Sequence, residues 1–194
     1  MTTFDIPHAG TLATALIGLS SVWVPDGAIA LPPTPTPPQL PEAITPAPPQ
    51  SLAWTLRAQG VQIYECRGSD GGAARWTFKA PEATLMDEDG RVIGSHGAGP
   101  YWLLHDGVRI EGRARSQVDG NRPGAIAWLL LDARATFAAA GAEHRLHGLQ
   151  SIVRANTQGG LAPDSGCDSA SLGQQARVPY TADYLLYVAP RARS

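Results

Sequence analysis

Val61-Gln62-Ile63-Tyr64-Glu65-Cys66 is the stretch that decides the fold class. Val61 and Ile63 share one face of an extended chain, and Tyr64 and Cys66 share the other. A period of two is typical of a β-strand, whereas a helix would repeat about every 3.6 residues. The same alternation recurs in residues 75–79, 108–113 and 180–188, where the last run carries Tyr180, Ala182, Tyr184, Leu186 and Val188 on one face.

Turn signals separate these runs. Ser69-Asp70-Gly71-Gly72 is typical of a hairpin connection, and Asp89-Gly90 and Asp106-Gly107 are shorter turns of the same kind. Several short strands with turn residues between them predict an antiparallel all-β fold, either a single β-sandwich or a small β-barrel. A barrel would also remove the edge strands of the sheet.

The run Ala125–Leu131, with the sequence AIAWLLL, is apolar throughout. It predicts a central strand that is buried on both faces. A helix is the alternative, because Ala, Leu and Arg continue to Ala142, and one short helix near 132–142 is therefore a further expectation.

Composition limits the classes of function. Of the 194 residues, 43% are hydrophobic, which is enough for a core, and 16% are charged, with a net charge of −2 and one lysine, Lys79. No basic run provides the electrostatic footprint of a nucleic-acid-binding protein. No apolar run is long enough to span a bilayer.

The N-terminal fifty residues differ from the rest. The order of segments is that of a secretory signal: an apolar stretch at 11–24, then the helix-breaking residues Pro25 and Gly27, then the cleavage motif Ala28-Ile29-Ala30. The residues before the apolar stretch include Asp5 and no Lys or Arg. Residues 31–49 contain nine prolines and indicate an extended spacer. We therefore expect a signal peptide at 1–30, a Pro-rich linker at 31–50 and a β-rich domain at 51–190 in a periplasmic or secreted protein. A disordered tail is the alternative to the signal.

The two cysteines, Cys66 and Cys167, lie about a hundred residues apart. An even count in an exported chain favours a disulfide. A nucleophilic Cys paired with a His is the alternative, but no local signature of a thiol enzyme surrounds either residue.

The segment Gly94-Ser95-His96-Gly97-Ala98-Gly99-Pro100-Tyr101-Trp102 is the most unusual in composition. Its glycines permit a sharp bend or a close approach of a ligand to the backbone. No G-x-S-x-G elbow accompanies the histidine, which excludes an α/β-hydrolase. The alternative is a β-bulge or corner whose His96 is simply hydrogen-bonded.

Other motifs carry weaker signals. His144 and His147 have H-x-x-H spacing without a third ligand, and Asp87-Glu88-Asp89-Gly90 lacks the later ligands of a calcium loop, so we expect no metal. No Walker loop or dinucleotide fingerprint is present, and we expect no cofactor. Arg154–Gly160 is polar and Gly-rich, which is typical of a wide turn or of an anion or carbonyl site.

The chain resembles an uncharacterised family of bacterial and fungal proteins, the domain of unknown function 3455. The matching pieces are Gly60–Cys66, Ala80–Ala83, His96 with Ala98–Pro100 and Trp102, Asp106-Gly107, Pro123–Ile126, Trp128–Leu131, Arg154–Gly160, Gly166–Asp168 and Val178–Tyr184. The resemblance implies export and a pairing of the two cysteines. Some fungal members are named malate dehydrogenase, but this chain has no nucleotide-binding βαβ unit for hydride transfer.

Three hypotheses of function follow. The first is a domain that binds a small molecule or surface component through His96, Trp102, Arg154 and Asn156. The second is an enzyme, an isomerase or hydrolase, in which His96 acts with a carboxylate such as Asp106 or Asp183. The third is a structural or interaction protein whose tryptophans all pack internally. Substrate and oligomeric state are open at this point.

Overall fold

The computed structural model describes residues 38–69, 71–137 and 145–190. The predicted signal peptide at 1–30 and the first seven residues of the predicted Pro-rich linker, 31–37, lie outside this range. No helix in the described part is long and apolar enough to cross a membrane.

The described chain forms one antiparallel sheet that closes on itself. Its strands are β1 Ser51–Ser69, β2 Gly72–Met86, β3 Val92–Gly97, β4 Tyr101–Leu104, β5 Val108–Val118, β6 Trp128–Phe137, β7 Leu149–Gly159 and β8 Gln175–Val188. Each strand pairs with the next along the chain, and β8 pairs with β1 to close a barrel. The all-β expectation is confirmed, and of its two forms the barrel is the one adopted.

The predicted turns connect these strands. Gly71, Gly90 and Gly107 all have positive φ, which the residue without a Cβ adopts at little cost. The carboxylate of Asp87 accepts hydrogen bonds from the backbone nitrogens of Asp89 and Arg91 at 3.0 and 2.8 Å. This acidic segment is therefore an ordinary hairpin turn whose aspartate caps its own backbone.

The closing seam between β1 and β8 is the longest pairing and depends on a glycine. Gly60 pairs with Tyr180 of β8 and with Ala83 of β2. A Cβ at this position would collide with the backbone of Glu82 and Ala83. Gly60 thus allows β2 to approach β1 closely beside the closing pair of strands.

Two sets of buried side chains face opposite sides of the sheet. The inner set includes Leu56, Leu85, Leu104, Ile110 and Leu186, which fill one end of the barrel. The outer set lies on β6, β7 and β8 and is covered by a 3-10 turn, η1 Glu42–Ile44.

The cover over the outer set comes from the second half of the predicted linker. Ile44 is fully buried among Trp128, Leu130, Val153 and Leu185. The Ser116 hydroxyl donates to the Ala43 carbonyl at 2.6 Å, which fixes the turn to β5. The boundaries of the predicted domains stay predictions, but residues 38–50 contribute to the packing of the barrel.

Two local expectations were wrong. Residues 132–137 continue strand β6 and do not form a helix; residues 138–142 lie outside the described range. Pairing with β5 overrides the helical propensity of Ala and Arg there.

Residues 154–159 are not a turn but the end of β7, which has a bulge between Ala155 and Gln158. Of the run Ala125–Leu131, which was expected to be one strand buried on both faces, residues 128–131 form the start of β6 and pack on both sides of the sheet, whereas residues 125–127 precede the strand.

The disulfide joins the barrel to its longest described loop. Cys66 of β1 bonds to Cys167, across a sequence separation of 101 residues. The Trp76 indole also donates to the carbonyl of Ser165 at 2.8 Å. The loop 160–174 is therefore fastened to β1 and to β2.

Candidate functional site

One end of the barrel interior is hollow. The cavity has a volume of about 340 Å³. It is lined by Gln62, Phe78, Lys79, Pro81, His96, Ala98, Gly99, Pro100, Trp102, Ala114, Leu129, Leu131, Arg154 and Tyr184. Phe78, Lys79 and Ala114 are exposed, so they lie at the mouth, whereas His96, Trp102 and Tyr184 are almost fully buried and form the floor.

On β5 the inward-facing side chains become smaller from the filled end of the barrel to the hollow end. On β5 the inward positions run from Val108 and Ile110 through Gly112 to Ala114. Valine and isoleucine fill space at one end of β5, and glycine and alanine leave it open at the other. The ring of Trp102 lies over Gly112, where a Cβ would come within 2.9 Å of the indole.

His96 belongs to the floor because of its place on β3. It pairs with Trp102 across the hairpin and with Ala83 on the other side. Its Nδ1–H donates to the Tyr101 carbonyl at 2.7 Å, which leaves Nε2 as an acceptor. The imidazole stacks on the Trp102 indole with ring centroids 4.6 Å apart.

Burial keeps this imidazole neutral. The pKa of His96 falls from 6.5 to about 4, chiefly because its charged form loses hydration, and the positive charge of Arg154 adds to the shift. The hydrogen bond to Tyr101 opposes it. Near neutral pH the floor therefore presents an uncharged ring.

Arg154 supplies a positive charge without a carboxylate partner. Its Nε and Nη2 groups both donate to the Ala127 carbonyl, at 3.0 and 2.7 Å. None of the ion pairs within the described residues includes Arg154. A guanidinium has five N–H groups, so three are not used by these two bonds, and the Tyr184 hydroxyl lies close to the group. A partly buried charge with neutral partners is costly unless something else pairs with it.

Several other polar groups near the floor are buried without a hydrogen-bond partner of good geometry. They are the Gln62 Nε2, Trp102 Nε1, Tyr180 hydroxyl and Tyr184 hydroxyl groups. Burial raises the pKa of both tyrosines, while the charge of Arg154 acts in the opposite direction. Native proteins leave few such groups unpaired, so their concentration around one cavity marks this region as unusual.

The structure brings together three of the four residues that the sequence proposed for ligand binding. His96, Trp102 and Arg154 line the cavity, and their role remains a prediction. Asn156 does not line it. Its φ of 51° at the β7 bulge directs the side chain to Asp183, whose carboxylate accepts from the amide at 2.8 Å. Asp183 alternates with the inward Tyr184 and therefore faces outwards.

The two carboxylates proposed as partners of His96 have other positions. Asp106 accepts a hydrogen bond from the Val108 backbone in the β4–β5 turn, and Asp183 holds Asn156. No acidic residue lines the cavity within the described chain. The geometry therefore provides no acid–base pair at His96.

Sequence reasoning missed most of the cavity wall. Leu129 and Leu131 were recognised as apolar, and Gln62 shares the face of Tyr64, but nothing local showed that these faces surround a void. The one indication of a cavity was Gln62, a polar residue at an inward-facing position, where it is 2% exposed. No group of three or more potential metal ligands occurs in the described part; His144 lies outside it.

The fold and the site define a class of protein, a closed antiparallel β-barrel with an internal cavity at one end. The particular family follows from comparison: residues 46–188 match the model of the family described as protein of unknown function (DUF3455), and the chain belongs to that family. No curated protein and no solved structure matches the chain.

Proposed function

We propose that this domain binds a small molecule inside the barrel. The observation that carries the proposal is the cavity of about 340 Å³ at one end of an otherwise filled core. Its size is at the lower end of small-molecule sites, and its wall combines aromatic and aliphatic surface with a few polar groups, as such sites do. A purely structural barrel would gain packing energy by filling this space.

A neutral aromatic probe tests the proposal directly. Calorimetric titration with 2-naphthalenemethanol is expected to show saturable binding to one site. Ala114→Trp places a large side chain at the cavity mouth and is expected to weaken binding at least about tenfold through steric exclusion. Arg113→Trp is the matched control, because its side chain lies on the opposite face of β5.

Two results would contradict this function. Absence of saturable binding by neutral, anionic and cationic probes alike would remove the proposal. Equal weakening by Ala114→Trp and Arg113→Trp would place the probe outside the barrel. Both variants need circular dichroism spectra like that of the parent, so that loss of folding is recognised.

The proposal includes a location outside the cytoplasm. It is supported by the Cys66–Cys167 disulfide, which persists in oxidising compartments, and by the signal-like order of residues 11–30. Native mass spectrometry of the protein recovered from the periplasm is the test. A chain beginning at Leu31 and two hydrogens lighter than the reduced form would support export, and a full-length reduced chain would oppose it.

A further inference from the structure

Among the described residues, the charged side chains that line the cavity are both positive. Its ionisable lining residues are Lys79, Arg154, His96 and Tyr184, and no carboxylate lies among the described residues that line it. Lys79 is paired with Glu65 at 2.7 Å, so its charge is balanced at the mouth. The Arg154 charge is the one that stands unbalanced against the cavity.

The neutral contacts of Arg154 do not explain its position fully. Both of its hydrogen bonds of good geometry go to one oxygen, the Ala127 carbonyl. This carbonyl lies just beyond the last pair of β6 and β7, which is Leu129 with Arg154. A neutral donor would serve that purpose without bringing a charge into the barrel. A guanidinium has the geometry to bind a planar carboxylate through two parallel N–H groups.

The other groups at the floor match an acceptor-rich ligand. The Trp102 Nε1 donor has no partner, and the Gln62 amide and the Tyr184 hydroxyl make no hydrogen bond of good geometry, although both lie close to Tyr180 and the Tyr184 hydroxyl also lies close to Arg154. Neutral His96 adds no second positive charge but becomes easier to protonate when an anion approaches. Leu129, Leu131 and the face of Trp102 offer apolar surface beside Arg154.

We propose that the cavity binds a small organic anion, a carboxylate on an apolar body of ring size, with the carboxylate on Arg154 and the body against Trp102 and the two leucines. This inference rests on the proposed function, since it names the class of ligand for the same cavity. It makes Arg154 the residue that determines specificity for charge.

Three probes with one ring system separate charge from shape. They are 2-naphthoate, 2-naphthalenemethanol and 2-naphthylmethylammonium, compared by calorimetry at constant pH and salt. We expect the anion to bind about ten- to a hundredfold more tightly than the alcohol, the range of a hydrogen-bonded charge interaction. The ammonium probe is expected to bind most weakly, because it meets an uncompensated like charge.

Substitutions locate the effect. Arg154→Met keeps the length of the side chain and removes its charge, and is expected to abolish the preference for naphthoate over the alcohol. Arg154→Lys keeps the charge without the planar fork and is expected to retain part of the preference. Arg177→Met is the matched control, since Arg177 is exposed and paired with Glu82.

A spectroscopic readout separates binding from a merely structural role of Arg154. Naphthoate bound beside His96 is expected to raise the pKa of that imidazole, measured by NMR, whereas the alcohol is not. If alcohol and anion bind equally and Arg154→Met changes neither, the charge inference falls while small-molecule binding stands. If no probe binds, both fall.

Discussion

Protonation of His96 is expected to link the stability of this barrel to pH. The imidazole is 4% exposed and stacks on Trp102, with Arg154 and Tyr184 as the neighbouring ionisable groups. Its pKa is about 4 in the folded chain, against 6.5 ordinarily. The unfolded chain therefore binds more protons between these two values, so stability is fully present above about pH 6.5 and declines as pH falls towards 4.

The magnitude follows from the two pKa values of His96. A difference of this size corresponds to roughly 3 kcal/mol once the pH is below both values. At about pH 5 the linkage relation gives a loss of about 2 kcal/mol relative to pH 7.5. Such a change is a large fraction of the stability of an ordinary domain.

Urea unfolding followed by tryptophan fluorescence, at several pH values between about 5 and 7.5, measures this loss. His96→Asn removes the titrating ring and keeps an amide donor near the position of Nδ1. The free energy of unfolding of the parent is expected to fall by about 2 kcal/mol more than that of the variant over this range. His105→Asn is the control, because His105 is exposed in the β4–β5 turn.

The comparison uses slopes with pH and not absolute stabilities, so any packing cost of His96→Asn cancels. Protonation of carboxylates contributes equally to parent and variant and cancels as well. Parallel curves for the parent and His96→Asn would contradict this expectation, because they would mean that the buried ring binds its proton as readily as in the unfolded chain.

Three further perturbations test the packing. Replacing Cys66 and Cys167 by Ala is expected to lower the free energy of unfolding by up to roughly 4 kcal/mol, because it frees a loop of about a hundred residues in the unfolded chain; an unchanged urea midpoint would contradict this. Ile44→Ala is expected to cost about 2 to 4 kcal/mol in urea unfolding if the 3-10 turn is part of the fold, whereas a mere spacer would tolerate it. Gly112→Ala is expected to displace the Trp102 ring, to destabilise the barrel by about 1 to 3 kcal/mol and to weaken probe binding; unchanged affinity and fluorescence would show that the ring has room to spare.

Much of the candidate site could be anticipated as chemistry but not as geometry. His96 and Trp102 lie directly opposite each other in the β3–β4 hairpin, so strand alternation and a short turn are enough to bring them together. Arg154 reaches them from β7, more than fifty residues later, and only barrel closure brings it there. Asn156 lies outside the cavity lining because a bulge in which it has positive φ turns its side chain towards Asp183, a change of face that strand alternation alone does not predict.

By itself the sequence determined what is local: the period of two, the glycine turns, the apolar run buried on both faces and the pairing tendency of two cysteines. These features depend on neighbours a few residues apart, or on composition. The tertiary structure alone decided that the sheet closes, that Ile44 covers its outer face and that one end of the interior stays open. These outcomes depend on how the side chains of all eight strands pack together in one interior, and the sequence of a single strand does not determine that packing.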